Sequence, residues 1–267
     1  MLNLTNLSLF TNRLTGEVPM SIWKIKSLEY LLLYENSLAG ELPLEVAELK
    51  LLRNFNLFSN NFYGMMIPQS LGLDATQLIL VDFVHNSFNG PIPPNICSGK
   101  QLVKLFLGFN PLHGSIPDDI RNCPTLTRLI LKDSNLSGLL PNVWANPNLL
   151  YLDLSNNYFT GQIPATFVDK LSNITEINLS MNRLSGVLPQ ELGSLLQLQV
   201  LNLSYNALEG PLPSQLANCT KMLKFDASHN MFNGSIPTAL RTMYGLLTLD
   251  LSENHLTGSI PSSIYLS

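Results

Sequence analysis

The phrase L-x-L-x-x-N-x-L-x-G-x-I-P returns eleven times along the chain. Its Asn position falls at Asn12, Asn36, Asn60, Asn86, Asn110, Ser134, Asn157, Asn182, Asn206, Asn230 and Asn254. The spacings are 24, 24, 26, 24, 24, 23, 25, 24, 24 and 24 residues. So strict a period restricts the chain to an array in which every unit follows the same path. In L-x-L the Leu side chains point to one face and their neighbours to the other, so one face is core and one meets solvent. The Asn stands where the chain leaves the strand, and its amide can bond the departing backbone. Gly permits the unusual dihedral of the bend, and Pro ends the pairing. A second apolar set, such as Ile22, Trp23, Ile25 and Leu28, brings the chain back in short helical turns. One unit buries too little apolar surface to offset the entropy of ordering it, so the units must stack.

The expected fold is an α/β solenoid of plant-type leucine-rich repeats, about 11 repeats of 24 residues forming one domain over 1–267. The concave side carries a parallel β-sheet, the convex side 3-10 or short helices, and the array is superhelical. Ten repeats write Gly, two residues, Pro; one writes GMMIP, so Met65 or Met66 must bulge for Ile67 to keep its core place. The chain starts on a strand and stops within a repeat at SSIYLS, with no capping cysteine pair, which predicts a piece of a longer array.

Composition removes several function classes. Only 13% of residues are charged and the net charge is −4, so no basic stripe awaits nucleic acid. No run of about 18 apolar residues would place this segment in a membrane. The opening MLNLTNLSLF lacks the pattern of a signal peptide. Three cysteines, Cys97, Cys123 and Cys219, are expected to close no disulfide framework and hold no metal, with Cys123 and Cys219 as buried fillers. Eight Asn-x-Ser/Thr sequons, at Asn3, Asn6, Asn135, Asn173, Asn178, Asn202, Asn218 and Asn233, point to secretory passage and glycosylation.

Function on a repeat scaffold lies in the positions the scaffold leaves free, here six, four, two and one residues before the Asn. In repeats seven to eleven these hold small polar columns: Asp153, Asn178, Asn202, Asp226 and Asp250 beside Ser155, Ser180, Ser204, Ser228 and Ser252. Repeats one to six depart from that default with Phe10, Tyr34, Phe58, Val84, Phe106, Phe109 and Ile130. Large apolar side chains on a solvent-facing sheet mark a binding surface. Strands sit about 4.8 Å apart, so the strip spans roughly 24 Å. An extended peptide of about seven residues would cover it.

Acids such as Asp82 outnumber bases on this face and would attract a basic peptide. Lys104, Arg128 and Lys132 gather where the strip ends, a seat for a terminal carboxylate. Asp226, Ser228 and His229 have a triad's composition but alternate along one strand, and His85 and His229 lie too far apart to share a metal. No catalytic role, cofactor or metal is expected.

The runs LFTNRLTGEVPMSIWKIKSLEYLLLYENSLAGELP, NICSGKQLVKLFLGFNPLHGSIP and LTRLILKDSNLSGLLP resemble the receptor-kinase ectodomains that sense plant elicitor peptides. The resemblance implies a plasma-membrane receptor serine/threonine kinase that binds a secreted, basic danger peptide. It implies recruitment of a co-receptor kinase of the somatic embryogenesis family and signalling in defence. The chain itself has no phosphate loop, HRD or DFG. A secreted inhibitor resembling polygalacturonase-inhibiting proteins, or a kinase-less receptor-like protein, is the alternative.

Overall fold

The computed structural model describes residues 3–261, so the terminal SSIYLS lies outside the described residues. The chain divides into two compact units, at Leu136 and Ser137. In the first, the concave strands are Asn6–Ser8, Tyr30–Leu32, Asn54–Asn56, Leu80–Asp82, Lys104–Phe106 and Arg128–Ile130. Each pairs in parallel with the next at the same repeat position, as Asn6 with Tyr30 and Lys104 with Arg128. In the second unit Tyr151–Asp153, Glu176–Asn178, Val200–Asn202, Lys224–Asp226 and Thr248–Asp250 do likewise. The register follows the L-x-L phrase: Leu31, Leu33, Leu105 and Leu107 are buried while the residues between them face outward.

The repeat Asn bonds the departing backbone as expected, and successive Asn side chains form a ladder. Asn60 donates through Nδ2 to Leu33 O at 3.0 Å in the preceding repeat and to Leu57 O at 3.1 Å in its own. Its Oδ1 accepts the Leu38 amide at 3.0 Å. One side chain thus satisfies donors and acceptors in two successive repeats, where an open turn would leave them orphaned. The repeat Gly adopts positive φ, between 73° and 140°, from Gly16 through Gly258. The residue before each Asn does too: Thr11, Glu35, Ser59, His85, Phe109, Asp133, Asn156, Met181, Tyr205, His229 and Glu253 all lie between 50° and 56°. These are L-residues in left-handed geometry, a cost that the fixed hydrogen bonds of the turn hold in place.

A second layer of pairing appears that the phrase does not announce. The segments following the Asn form short parallel strands: Thr15–Glu17, Ser37–Gly40, Asn61–Gly64 and Ser87–Phe88 make one four-stranded sheet. That sheet ends at Phe88, and the next strand, Gly90–Pro91, pairs onward with Leu112–Gly114. Met65 and Met66 both bulge outward, 84% and 51% exposed, while Ile67 keeps its core place at 1%. Their backbone lies over Gly90, where any side chain would collide with the Met65 carbonyl and Met66. The convex returns are short turns opened by Pro, among them Met20–Trp23, Leu44–Glu48 and Gln190–Ser194. Proline's fixed φ suits that first position. In the first unit Trp23, Phe55, Phe83, Phe88 and Phe62 form an aromatic spine with ring separations of 4.8 to 6.3 Å.

The cysteines correct the expectation. Cys97 and Cys123 are joined by a disulfide, with Cα atoms 5.9 Å apart, whereas Cys219 is free and buried as foreseen. The two half-cystines occupy different positions of their repeats, 26 residues apart. Counting within a repeat hid the pairing, because stacking places successive convex turns within disulfide reach. Lys100 and Asp119 fasten the same two turns, at 2.8 Å.

Candidate ligand-binding face

The polar default of the second unit is a closed hydrogen-bond set. In each repeat the Asx Oδ1 accepts both the amide and the hydroxyl of the Ser two residues on. The hydroxyl distances are 2.6 Å at Asp153, 2.7 Å at Asn178 and Asn202, 2.8 Å at Asp226 and 2.6 Å at Asp250. Asp250 shows the electrostatic result: the Ser252 hydroxyl holds its carboxyl below the usual range. Ser228 Oγ donates to Asp226 and the His229 ring stacks on Tyr205 at 4.0 Å, so the triad composition assembles no nucleophile and base. At Asn178 and Asn202 the sequon Ser is this same hydroxyl donor, while the other six sequon Asn side chains are exposed.

The first unit breaks the default on the columns the sequence singles out. Phe10 stacks on Tyr34 at 4.5 Å with rings 5° from parallel. Phe58 meets His85 edge-on at 6.0 Å, His85 stacks on Phe109 at 4.0 Å, and Lys132 Nζ lies 4.9 Å from the Phe109 centroid. Below this row Phe106 stands between Asp82 and Ile130 in register, both half-buried, and Val84 follows Asp82 on the same face. Arg128 is exposed on the next strand, two residues before Ile130. All ten predicted positions therefore share one face of one unit.

One member, His85, escaped the sequence reading, and Gly108, a visible departure from the polar column, gains its reason from the structure. His85, weighed only as a metal ligand, is the link that joins Phe58 to Phe109. Its signal is the position before the Asn, whose left-handed φ is invisible in the letters. Gly108 interrupts the aromatic column because a Cβ there would press on Lys132 O and Cγ, so its absence lets Lys132 lie across toward Phe109. Charge on this face is divided, with Lys104, Arg128 and Lys132 confined to its last two repeats and Glu35 bonded to Thr11 at the other end. Asp82 is half-buried beside Phe106, and among the described residues its carboxylate accepts only the Val84 amide, at 3.2 Å. Burial pushes its carboxyl up to about 6.

Residues 147–208 match the family described as leucine rich repeat, and residues 101–123 and 245–266 match a further model of the same description. The structure superposes on the crystal structure of PEPR1–AtPEP1 with a TM-score of 0.93 and 48% identity, over 97% of this chain. The chain is a leucine-rich repeat solenoid similar to plant receptor-kinase ectodomains. It superposes equally on the Arabidopsis receptor kinase HAESA, solved with the peptide hormone IDA and the co-receptor SERK1, with a TM-score of 0.94, 35% identity and 98% coverage. The receptor-like serine/threonine-protein kinase GSO2 of Arabidopsis thaliana is 39% identical over 59 residues, 22% of this chain and 5% of that protein. The chain spans 36% of PEPR1 and 44% of HAESA as solved, so it corresponds to part of such an ectodomain.

Proposed function

We propose that this segment captures a secreted peptide along the strip from Phe10 to Lys132, as part of a receptor serine/threonine kinase at the plasma membrane. One observation carries the reading. Closed Asx–Ser pairs give way, in a single unit, to a row of aromatic rings ending in a cluster of cations. Rings half-open to solvent supply apolar contact to an extended chain, while Lys132, Arg128 and Lys104 supply charge-assisted bonds to its terminal carboxylate. The peptide then runs across the strands with its C-terminus toward Arg128. The likeness to PEPR1–AtPEP1 and to HAESA with IDA and SERK1 supports a peptide ligand and a co-receptor of that class, and signalling in defence is part of the same proposal. The Cys97–Cys123 bond suits an oxidising, extracellular setting, as do the exposed sequons.

The test uses AtPEP1 with a free and with an amidated C-terminus, titrated against the wild type and the Lys132→Glu, Arg128→Glu double variant. The expected result is a loss of at least about tenfold on amidation of the peptide, and no such loss in the variant, which already binds weakly. Equal affinity of wild type and double variant would remove the carboxylate seat.

A further inference from the structure

Asp82 occupies the column that carries the closed Asx–Ser pairs elsewhere, but residue 84 is Val and brings no hydroxyl. Only the Val84 amide reaches its carboxylate, and none of the ion pairs among the described residues includes it. On the preceding strand Asn56 stands opposite Asp82 and Asn54 opposite Leu80. The Asn56 Oδ1 is taken by the Phe58 amide at 2.9 Å. The Asn54 Oδ1 is buried and has no donor. Two acceptors short of donors thus sit diagonally across one strand pair, with Phe106 in register beside Asp82 on the next strand. Buried acceptors are normally paired, so an orphan beside a desolvated carboxylate calls for a donor from outside the chain.

We propose that Asn54 and Asp82 form a subsite for a guanidinium side chain of the bound peptide. The proposal rests on the peptide-binding reading above and adds to it a required residue type. Diagonal neighbours on adjacent strands lie about 7 Å apart, a span that a planar guanidinium can bridge with two donors and a single ammonium cannot. No cation among the described residues fills the place. Arg53, beside Asn54, pairs with Glu29 at 3.1 Å. Lys104 stands opposite Leu80 and forms no ion pair with Asp82, and His85 is stacked on Phe109. Because burial holds the Asp82 carboxyl near 6, the free site is partly protonated in mildly acidic medium. A cation binds the deprotonated form, so affinity falls as pH drops below about 6 and is full above it.

A positional-scanning library of heptapeptides with free C-termini, captured at about pH 5 and about pH 7, provides the test. Wild type is expected to enrich Arg over Lys and norleucine at one position, by about tenfold at the higher pH and less at the lower. Asp82→Asn should lose that preference at that position alone. Val84→Ser, which restores the hydroxyl of the default pair, should keep the Arg preference and move its loss to lower pH. Capture of peptides without an Arg preference, or with one unchanged in Asp82→Asn, would overturn the subsite and leave peptide binding standing. Failure to capture any peptide would overturn both.

Discussion

Asn110→Ala is the substitution that most directly probes what holds successive repeats together. Asn110 is buried, and its Nδ2 donates to Phe83 O at 2.9 Å, Leu107 O at 3.0 Å and Gly108 O at 3.1 Å. Its Oδ1 accepts the Phe88 amide at 3.0 Å. Alanine orphans that amide, which costs about 1–3 kcal/mol, and removes a bond from three carbonyls at about 1 kcal/mol each. The Phe83 and Gly108 oxygens keep other donors, Asn86 and the His85 amide, so the sum stays near 4 kcal/mol rather than higher. A chain of this length should lose roughly 8–16 °C of melting temperature. Asn12→Ala, at an exposed rung whose side chain bonds only Leu9 O and Phe10 O among the described residues, should cost under about 1 kcal/mol. Circular dichroism melts give the midpoints, and hydrogen exchange at the Phe88 amide reports the local opening. Equal costs at Asn12 and Asn110, or a cost below about 1 kcal/mol at Asn110, would refute the ladder as a principal source of stability.

Further outcomes follow from the same contacts. Ser134→Asn should stabilise by about 1 kcal/mol, since Ser134 reaches only Lys132 O and the Leu112 amide, lacking an Asn to meet, turns back to Asn110 O; a denaturant midpoint checks it. Reducing Cys97–Cys123 should lower stability by about 3 kcal/mol, as expected for closing a loop of this size, measured as melts with and without reductant. Gly90→Ala should destabilise by about 2 kcal/mol or more through its φ of +83° and the Met65 carbonyl, and deleting Met65 should recover much of that loss. Asp82→Asn should stabilise the unliganded protein at neutral pH and not near pH 4. Its native carboxyl, raised from 3.8 to about 6, favours the fold below the unfolded value and loses that contribution as pH climbs through about 6.

What the letters disclosed was whatever recurs. The L-x-L alternation placed Leu31 and Leu33 inward and Tyr34 outward. The Asn and Gly positions located the ladder and the left-handed bends, because each follows from a single residue's chemistry at a fixed step. The second layer of strands stayed hidden, since segments such as Asn61–Gly64 read as turns and pair only through their neighbours. The disulfide stayed hidden for a related reason: Cys97 and Cys123 belong to different repeat positions and meet only after stacking. On the ligand face, Phe58 and Phe109 were legible as departures from a polar column. His85 was not, because its place in the stack depends on a left-handed backbone that glycine would advertise and histidine does not. Asp82 was legible as an acid, but its lack of a hydroxyl partner became meaningful only beside the closed pair at Asp250.

The proposed ligand lies on repeats one to six and not on the polar repeats that follow. Site-specific photo-cross-linking tests it most directly, with benzoylphenylalanine placed at Phe58 or Phe109 in one set of variants and at Ser180 or Ser204 in another, each irradiated with AtPEP1. Peptide adducts are expected from the first set and none from the second; adducts from Ser180 or Ser204 with none from Phe58 or Phe109 would place the ligand on the polar repeats instead.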